Sequence, residues 1–350
     1  MPLRVKKQHY VTRAYLEGFL DTGRDLLFCY GRHRPEGFQS RPSELAHERS
    51  YYSFREPDGT WNDSLEHEIE RRVEGPGLDV IRKLTSGNTR LDWPERDALA
   101  MLMAVQRLRV PHLRQMLDTV HAEMIQNLLL EHDNMQREQG PGRFWVRSIS
   151  PVARPRDLDR SRAYVTREEL QQIQSELQED TGQFSRETLF SFAVSFAKVI
   201  RRMKWTIFSA SADDSFVTSD CPVLLRHDRT DIKHAGIVRP DTHIEFPLSR
   251  TSLLLMDHDL ALINRVKHLG QTREARRVLA RIPEIKLAKA TEKQVHQFNV
   301  NQAEYCSRSL FCGRQCDWAI EDLRKHSKNV RHQFVRDGRF FRVDTLAGQR

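Results

Sequence analysis

Residues 94–132, PERDALAMLMAVQRLRVPHLRQMLDTVHAEMIQNLLLEH, constrain the fold more than any other stretch. Apolar side chains lie almost all round the first half of this helical pattern, so it must be covered on every side and belongs at the centre of a core. Asp92 is placed to cap it, and Pro94 falls in the first turn, where a missing N–H costs nothing. Pro111 cannot donate to the carbonyl of Arg107 and clashes with it. A kink or break is therefore expected between Arg107 and Pro111.

The flanking segments must supply the cover. DLLFCYGR (25–32) and RSYYSF (49–54) are short aromatic and apolar runs bounded by Gly, Pro and charge, which predicts a small N-terminal sheet. Leu65, Ile69 and Val73 recur at helical spacing behind Asn62 or Asp63 as cap, which predicts one helix over 63–84, interrupted at EGPG (74–77). Residues 133–163 are polar and rich in Arg, Pro and Gly and are expected to form a flexible insertion. Helix returns over 164–204, with TLFSFAVSFAKVIRRM as its buried half. From Trp205 the period falls toward two, and WTIFSA, FVTSD, IEFPLS and SLLLMD predict a mixed or antiparallel sheet at about 205–256. Helices at about 273–281 and 291–304 and a basic C-terminal segment, 318–350, complete the chain. Helices followed by strands without regular alternation give an α+β class: a helical N-terminal two-thirds with a small N-terminal sheet, a second sheet, then C-terminal helices. The expectation is a single α+β domain over 1–350, with a sub-division into 1–132 and 164–310.

Charged residues make up 30% of the 350, and no run approaches the roughly 18 apolar residues that would cross a bilayer. The basic N-terminus lacks the apolar stretch of a secretory signal, so a cytoplasmic location is expected and no membrane association. Five cysteines, Cys29, Cys221, Cys306, Cys312 and Cys316, are too few and too scattered for a disulfide framework and are read as buried thiols. The balance of 56 basic against 48 acidic residues, a net +8, favours a polyanionic partner, with nucleic acid foremost. The phosphate-binding glycine loops, the H-E-x-x-H zinc helix and the G-x-S-x-G nucleophile elbow are all absent from the sequence.

Several short motifs recur in one order along the chain. HYVTRAYLEGF resembles the opening His-Tyr-Val-Pro-x-x-Tyr-Leu-x-x-Phe of the bacterial domain of unknown function 4238 family, through His9, Tyr10, Val11, Tyr15, Leu16 and Phe19. LEHEIE is similar to that family's spaced glutamates at Glu66 and Glu70, and QRLRVP to its Gln-x-x-Arg-Thr-Pro at Gln106, Arg109 and Pro111. FVTSDCPV resembles its Phe-x-Thr-Ser-Asp-Asn-Pro-Val through Thr218, Ser219, Asp220 and Pro222, and FPLS (246–249) the Pro-Leu-Ser that follows. Thr12, Val110 and Cys221 stand where the family has Pro, Thr and Asn. The resemblance spans roughly residues 6 to 305 and implies a shared fold and polar constellation, without a reaction attached.

Each polar member has two chemical readings. His9, just ahead of a helix N-terminus, suits a neutral imidazole that transfers a proton or meets a phosphate; alternatively His9 and Tyr10 pin the N-terminal arm to the core. Glu66, Glu70 and Glu74 stack at i+4, and like charges so placed need a cation opposite: Arg109 is one candidate, and a divalent metal another. Gln106 and Arg109 lie one turn apart on an apolar helix and need partners, either an internal carboxylate or an external phosphate. Ser219 and Asp220 end a strand, either as turn formers or with Asp220 aimed into a cleft as metal ligand or base. The leading functional expectation is a nucleic-acid hydrolase, an RNase or DNase of the toxin or anti-phage kind, with a protein activator or antitoxin as a further partner. His9, Glu70, Arg109 and Asp220 would carry catalysis, Tyr10, Glu66, Gln106 and Ser219 would support it, and Glu70 with Asp220 would hold Mg²⁺ or Mn²⁺. The alternative is a non-catalytic module that binds nucleic acid or protein and whose polar residues form a structural network.

Overall fold

A computed structural model describes residues 7–32, 34–55, 59–139, 144–147, 162–165, 167–179, 182–227, 236–326, 332–336 and 339–343. The chain divides into two compact units, one made of residues 1–110 and 196–350, the other of 111–195.

In the first unit, β1 (Lys7–His9) leads into a short helix α1 (Arg13–Glu17), followed by β2 (Leu27–Gly31), β3 (Arg34–Ser40) and β4 (His47–Arg49). A bridge of β5 (Phe54–Arg55) with β6 (Trp61–Asn62) precedes α2 (Ser64–Ile69), one wide π-helical turn (Glu70–Glu74) and α3 (Gly75–Thr85). The EGPG sequence does not break the helix. Pro76 falls in the first turn of α3, where its missing N–H is harmless, and the π turn absorbs the irregularity just before it. Asn62, one of the two candidate caps, accepts from the Ser64 amide at 2.8 Å, while Asp63 accepts instead from the Ser53 hydroxyl.

The central helix α4 (Trp93–Leu108) opens on a full capping box, Asp92 accepting from the Glu95 amide at 2.8 Å and Glu95 from the Asp92 amide at 2.9 Å. Leu99, Ala100, Leu102, Met103, Ala104, Val105 and Leu108 are all buried on it, as apolar cover on every side requires. It stops at Leu108, and the next helix, α5 (Pro111–Gln139), begins on Pro111 itself.

Helix α5 opens the second unit, which continues with a ribbon of β7 (Phe144–Arg147) and β8 (Arg162–Val165), then α6 (Arg167–Glu179) and α7 (Gln183–Ile200). The expected flexible insertion over 133–163 is thus partly structured. The Glu-, Gln- and Met-bearing residues 133–139 extend α5, in keeping with their helix propensity, and the β-formers of FWVR and RAYV pair. Residues 140–143 and 148–161 of that insertion lie outside the described residues. Inside this unit Ser185 receives Arg114 Nε at 3.1 Å and donates its amide to Asp118 at 2.8 Å.

The first unit resumes with β9 (Lys204–Ser209), β10 (Thr218–Ser219), β11 (Leu224–His227), β12 (Thr242–Ser249) and β13 (Ser252–Asp257). After α8 (Leu260–Leu269) and α9 (Arg273–Ala280) come β14 (Ile285–Lys289), α10 (Glu292–Tyr305), β15 (Ser309–Cys312) and α11 (Asp317–His326). A hairpin of β16 (His332–Arg336) and β17 (Arg339–Val343) lies in the expected basic segment, whose residues 327–331, 337–338 and 344–350 are outside the described residues.

The class is α+β, with two principal sheets. The larger runs β11-β12-β13-β9-β14 and is mixed, since β14 lies parallel to β9 while the other pairs are antiparallel. The smaller runs β10-β15-β2-β3, all antiparallel. The FVTSD strand was expected in the larger sheet and belongs instead to the smaller. Asp220 explains the change: its carboxylate takes the amides of Ser307 and Arg308, which latches β10 onto the start of β15. RSYYSF likewise contributes only its ends to strands, and Tyr51 and Tyr52 between them turn inward. Tyr30, Val217, Ala303, Cys306, Leu310, Cys312, Ala319 and Leu323 form a buried cluster where α10 and α11 cover the smaller sheet. All five cysteines are free thiols, four of them buried.

Candidate functional site

The candidate site residues of the motif reading lie within the first unit. Arg109 ends α4 and is 1% exposed, with its guanidinium donating to Glu74, to Thr12 Oγ1 at 2.7 Å and to Gln106 Oε1 at 2.7 Å. Thr12 Oγ1 in turn donates to Glu74 at 2.8 Å. Gln106 Nε2 reaches the Tyr10 carbonyl at 2.7 Å, and the Tyr51 hydroxyl takes up the Arg109 carbonyl at 2.7 Å. Burial opposes the charge on Arg109 most strongly, but Glu74 together with Tyr52 and Glu66 outweighs it and holds the guanidinium protonated. Of the two partners foreseen for Arg109, an internal carboxylate or an external phosphate, the internal one occupies it.

The π turn decides which glutamate does so. Four residues of α-helix overshoot a full circle by about 40°, and the wider π turn falls short of one, so Glu74 swings back toward the direction of Glu66. Glu70 is left exposed between them, whereas Glu66 and Glu74 are half-buried. Burial lifts the Glu66 carboxyl to about 7, with Arg109 pulling it down and Glu74, Glu70 and Asp63 pushing it up.

His9 sits in β1, paired with His47 of β4, their rings edge to face at 5.5 Å. Its pKa is lowered by burial first and by His47 next, so it is neutral for a different reason from the helix dipole expected; α1 is only five residues long. Its Nε2 is buried without a hydrogen-bond partner. The neighbouring backbone is firmly held: Gln8, fully buried, donates to Ser53 Oγ at 2.9 Å and accepts the Tyr52 amide at 2.6 Å.

Asp220 is fully buried. Its two oxygens accept from the amides of Ser307 and Arg308 at 2.8 and 2.7 Å, and its own amide donates to the Ser309 carbonyl at 3.0 Å. Burial lifts its carboxyl to about 6 against those bonds. Ser219 Oγ donates to Gln302 Oε1 at 2.9 Å and accepts from the Cys221 amide at 3.1 Å. The Ser219–Cys221 bond is a local turn contact, whereas Asp220 holds amides nearly ninety residues away. Tyr10 connects the two halves, since its hydroxyl, raised by burial, feels Asp220, Arg308 and Glu48. Tyr15 ties α1 to both sheets: its hydroxyl meets Thr218 Oγ1 at 2.9 Å and donates to the Pro247 carbonyl at 2.7 Å, and its ring stacks on Phe246 at 5.3 Å.

Glu70 and Asp220, paired in the sequence reading as metal ligands, thus differ sharply in setting. Among the described residues no group of three or more His, Cys, Asp or Glu side chains is arranged to hold a metal ion. Thr12 is the member of the network with no role in the sequence reading; Glu74 was one of the three stacked glutamates set against Arg109, and the π turn selects it as the partner. A second buried knot, outside the expected set, joins Glu245 to Arg226 at 2.8 Å and to Asn301 Nδ2 at 3.0 and 2.9 Å.

A family model described as a protein of unknown function, DUF4238, matches residues 7–315. No curated protein and no solved structure matches the chain. No helix among the described residues is long and apolar enough to cross a membrane.

Proposed function

We propose, because the chain belongs to this DUF4238 family and Thr12, Glu74, Gln106 and Arg109 close into one buried frame, that the protein binds nucleic acid and that the frame positions its surfaces instead of cleaving substrate. The carrying observation is that Arg109, at 1% exposure, is already engaged by Glu74, Thr12 and Gln106, although its buried Nε has no partner. A phosphate would have to displace a buried carboxylate to reach it, at the cost of breaking a desolvated pair. The basic surface lies elsewhere. Residues 263–293 hold nine Lys and Arg against three Glu, a net +6 of the chain's +8. Arg273, Arg276 and Arg277 share one exposed face of α9 through their i, i+3 and i+4 spacing, while Ala275 is buried behind them.

One observation favours the hydrolase reading. Glu66, lifted to about 7, lies within electrostatic reach of Arg109 and Glu74, and His9, with its open Nε2, is near the same pair. A carboxyl lifted to about 7 and an imidazole held neutral by burial are the equipment of acid–base catalysis. In that reading Glu66 replaces Asp220 as the acid beside His9, and Mg²⁺ or Mn²⁺ would have to be completed by substrate oxygens. The two are separated by incubating the purified protein with labelled RNA, single-stranded DNA and duplex DNA, in Mg²⁺, Mn²⁺ or EDTA, beside Glu66→Gln and His9→Ala. Salt-sensitive retention of strand without cleavage supports the binding reading. Cleavage that both folded variants lose overturns it and establishes the hydrolase.

A further inference from the structure

Arg96 is fully buried and has no carboxylate partner among the described residues. It donates to three backbone carbonyls, those of Arg201 at 2.6 Å, Met203 at 2.7 Å and Pro283 at 3.2 Å, and lies flat over the Trp205 ring at 3.9 Å. A guanidinium has five N–H donors, so two remain uncommitted. A buried cation held only by carbonyls and an aromatic face is incompletely compensated, and burial accordingly lowers its pKa to about 10. Nearby, Arg202, which donates to the Leu279 carbonyl at 3.3 Å, is also lowered, by burial and by Arg201. Asp97, paired with Arg201 at 2.8 Å, offsets part of that charge.

Above Arg96 opens a cleft of about 300 Å³. One wall is Thr89, Arg90 and Leu91, the approach to α4; the other is Ile282, Pro283, Glu284 and Ile285, between α9 and β14. Arg90 is exposed at its rim, and Leu91, Ile282 and Ile285 make part of it apolar. Glu284 is the one acid in the lining, and it is exposed. The volume is at the lower end of small-molecule sites, enough for a phosphate group with the sugar or base attached to it, and the Ile282–Ile285 wall follows α9 in the chain.

We infer that this cleft is a phosphate-monoester site, in which Arg90 and Thr89 contact the anion over the buried charge of Arg96 and the apolar wall receives the attached sugar or base. The inference rests on the nucleic-acid reading only for the source of the phosphate, a strand end or a free nucleotide. The full chain is titrated with inorganic phosphate, a nucleoside monophosphate, and one oligonucleotide carrying either a 5′-phosphate or a 5′-hydroxyl, followed by calorimetry and by Trp fluorescence, since Trp205 lies under Arg96.

The expected result is at least about tenfold tighter binding of the phosphorylated than the hydroxyl end. Arg90→Ala should erase that preference, and Glu284→Gln should strengthen it several-fold; both residues are exposed, so folding is not at stake. Binding of phosphate and mononucleotide, abolished by Arg90→Ala, with neither oligonucleotide bound would keep the site and assign it to a free phosphate ester, while the nucleic-acid reading falls. Equal binding of both oligonucleotides, with Arg90→Ala and Glu284→Gln silent, would overturn the site and leave that reading standing.

Discussion

At the scale of single residues, Thr12 shows how an ordinary local role yields to a distant one. It stands at the N-cap of α1 and caps nothing; its hydroxyl lies between Arg109 and Glu74. The pair it joins is desolvated, so removing one partner strands the other. Arg109→Met or Glu74→Gln should each cost about 3–5 kcal/mol in urea unfolding, and the double variant should recover part of the sum. Strict additivity would show that the pair is not coupled. Glu66 makes a prediction about pH. Its folded pKa, about 7, lies above its usual 4.5, so between those values the folded state binds more protons than the unfolded chain. That contribution is fully present below about 4.5 and is lost as pH rises through 7. His9 has the opposite sign, its lowered pKa removing stability on acidification below about 6.5. Urea midpoints measured from pH 4.5 to 7.5 should therefore fall less steeply with rising pH in Glu66→Gln than in the parent. Parallel profiles would place Glu66 in an unperturbed, solvated setting. Much of this was legible early: Gln106 and Arg109 advertise themselves as polar groups on an apolar helix that need partners. The stacked glutamates pointed to Arg109 as well, but which of them meets it depends on a π turn that no spacing rule reports.

At the scale of elements, helices set by strong local signals were readable, and those settled by tertiary pairing were not. Asp92, Pro94 and the apolar girdle of α4 define its start and its burial, and Pro111 places the interruption within a residue or two. FVTSD reads equally well as a strand of either sheet, since period-two alternation carries no information about partners. The deciding contact, Asp220 with the amides at the head of β15, spans almost ninety residues. Strand β14, with Lys286, Leu287 and Lys289 all exposed, lacks the alternation of a half-buried strand because it forms an edge, where lysines also discourage pairing with another chain. Packing between elements is just as specific. A Cβ on Gly77 of α3 would lie 2.5 Å from Leu102 Cβ on α4, an atom that no rotamer change can move. Gly77→Ala should gain the helix propensity of alanine, up to about 1 kcal/mol, yet lower stability by about 1–3 kcal/mol through overpacking. A raised urea midpoint would show that α3 and α4 have slack between them.

At the scale of the whole molecule, the +8 charge becomes informative once it is located. Pairing within the chain neutralises many arginines: Arg71 and Arg72 share Glu68, Arg201 meets Asp97 at 2.8 Å, and Arg265 meets Glu274 at 3.1 Å. Arg273, Arg276 and Arg277 have no ion pair among the described residues and point the same way from α9. Unpaired, co-facing guanidiniums attract the counterion-coated backbone of a nucleic acid, and each phosphate they neutralise releases condensed cations. Converting these three to Gln should reduce the slope of log affinity against log salt by up to about 2 to 3, since each contact contributes about 0.7–0.9. Binding should weaken similarly for every sequence, because contacts to phosphates carry no base information. Arg71→Gln with Arg72→Gln removes two charges, one of which Glu68 balances, and should lower the slope by at most about 1. If both sets lower it equally, net charge alone attracts the strand; if neither does, the face of α9 is not where the polyanion lies.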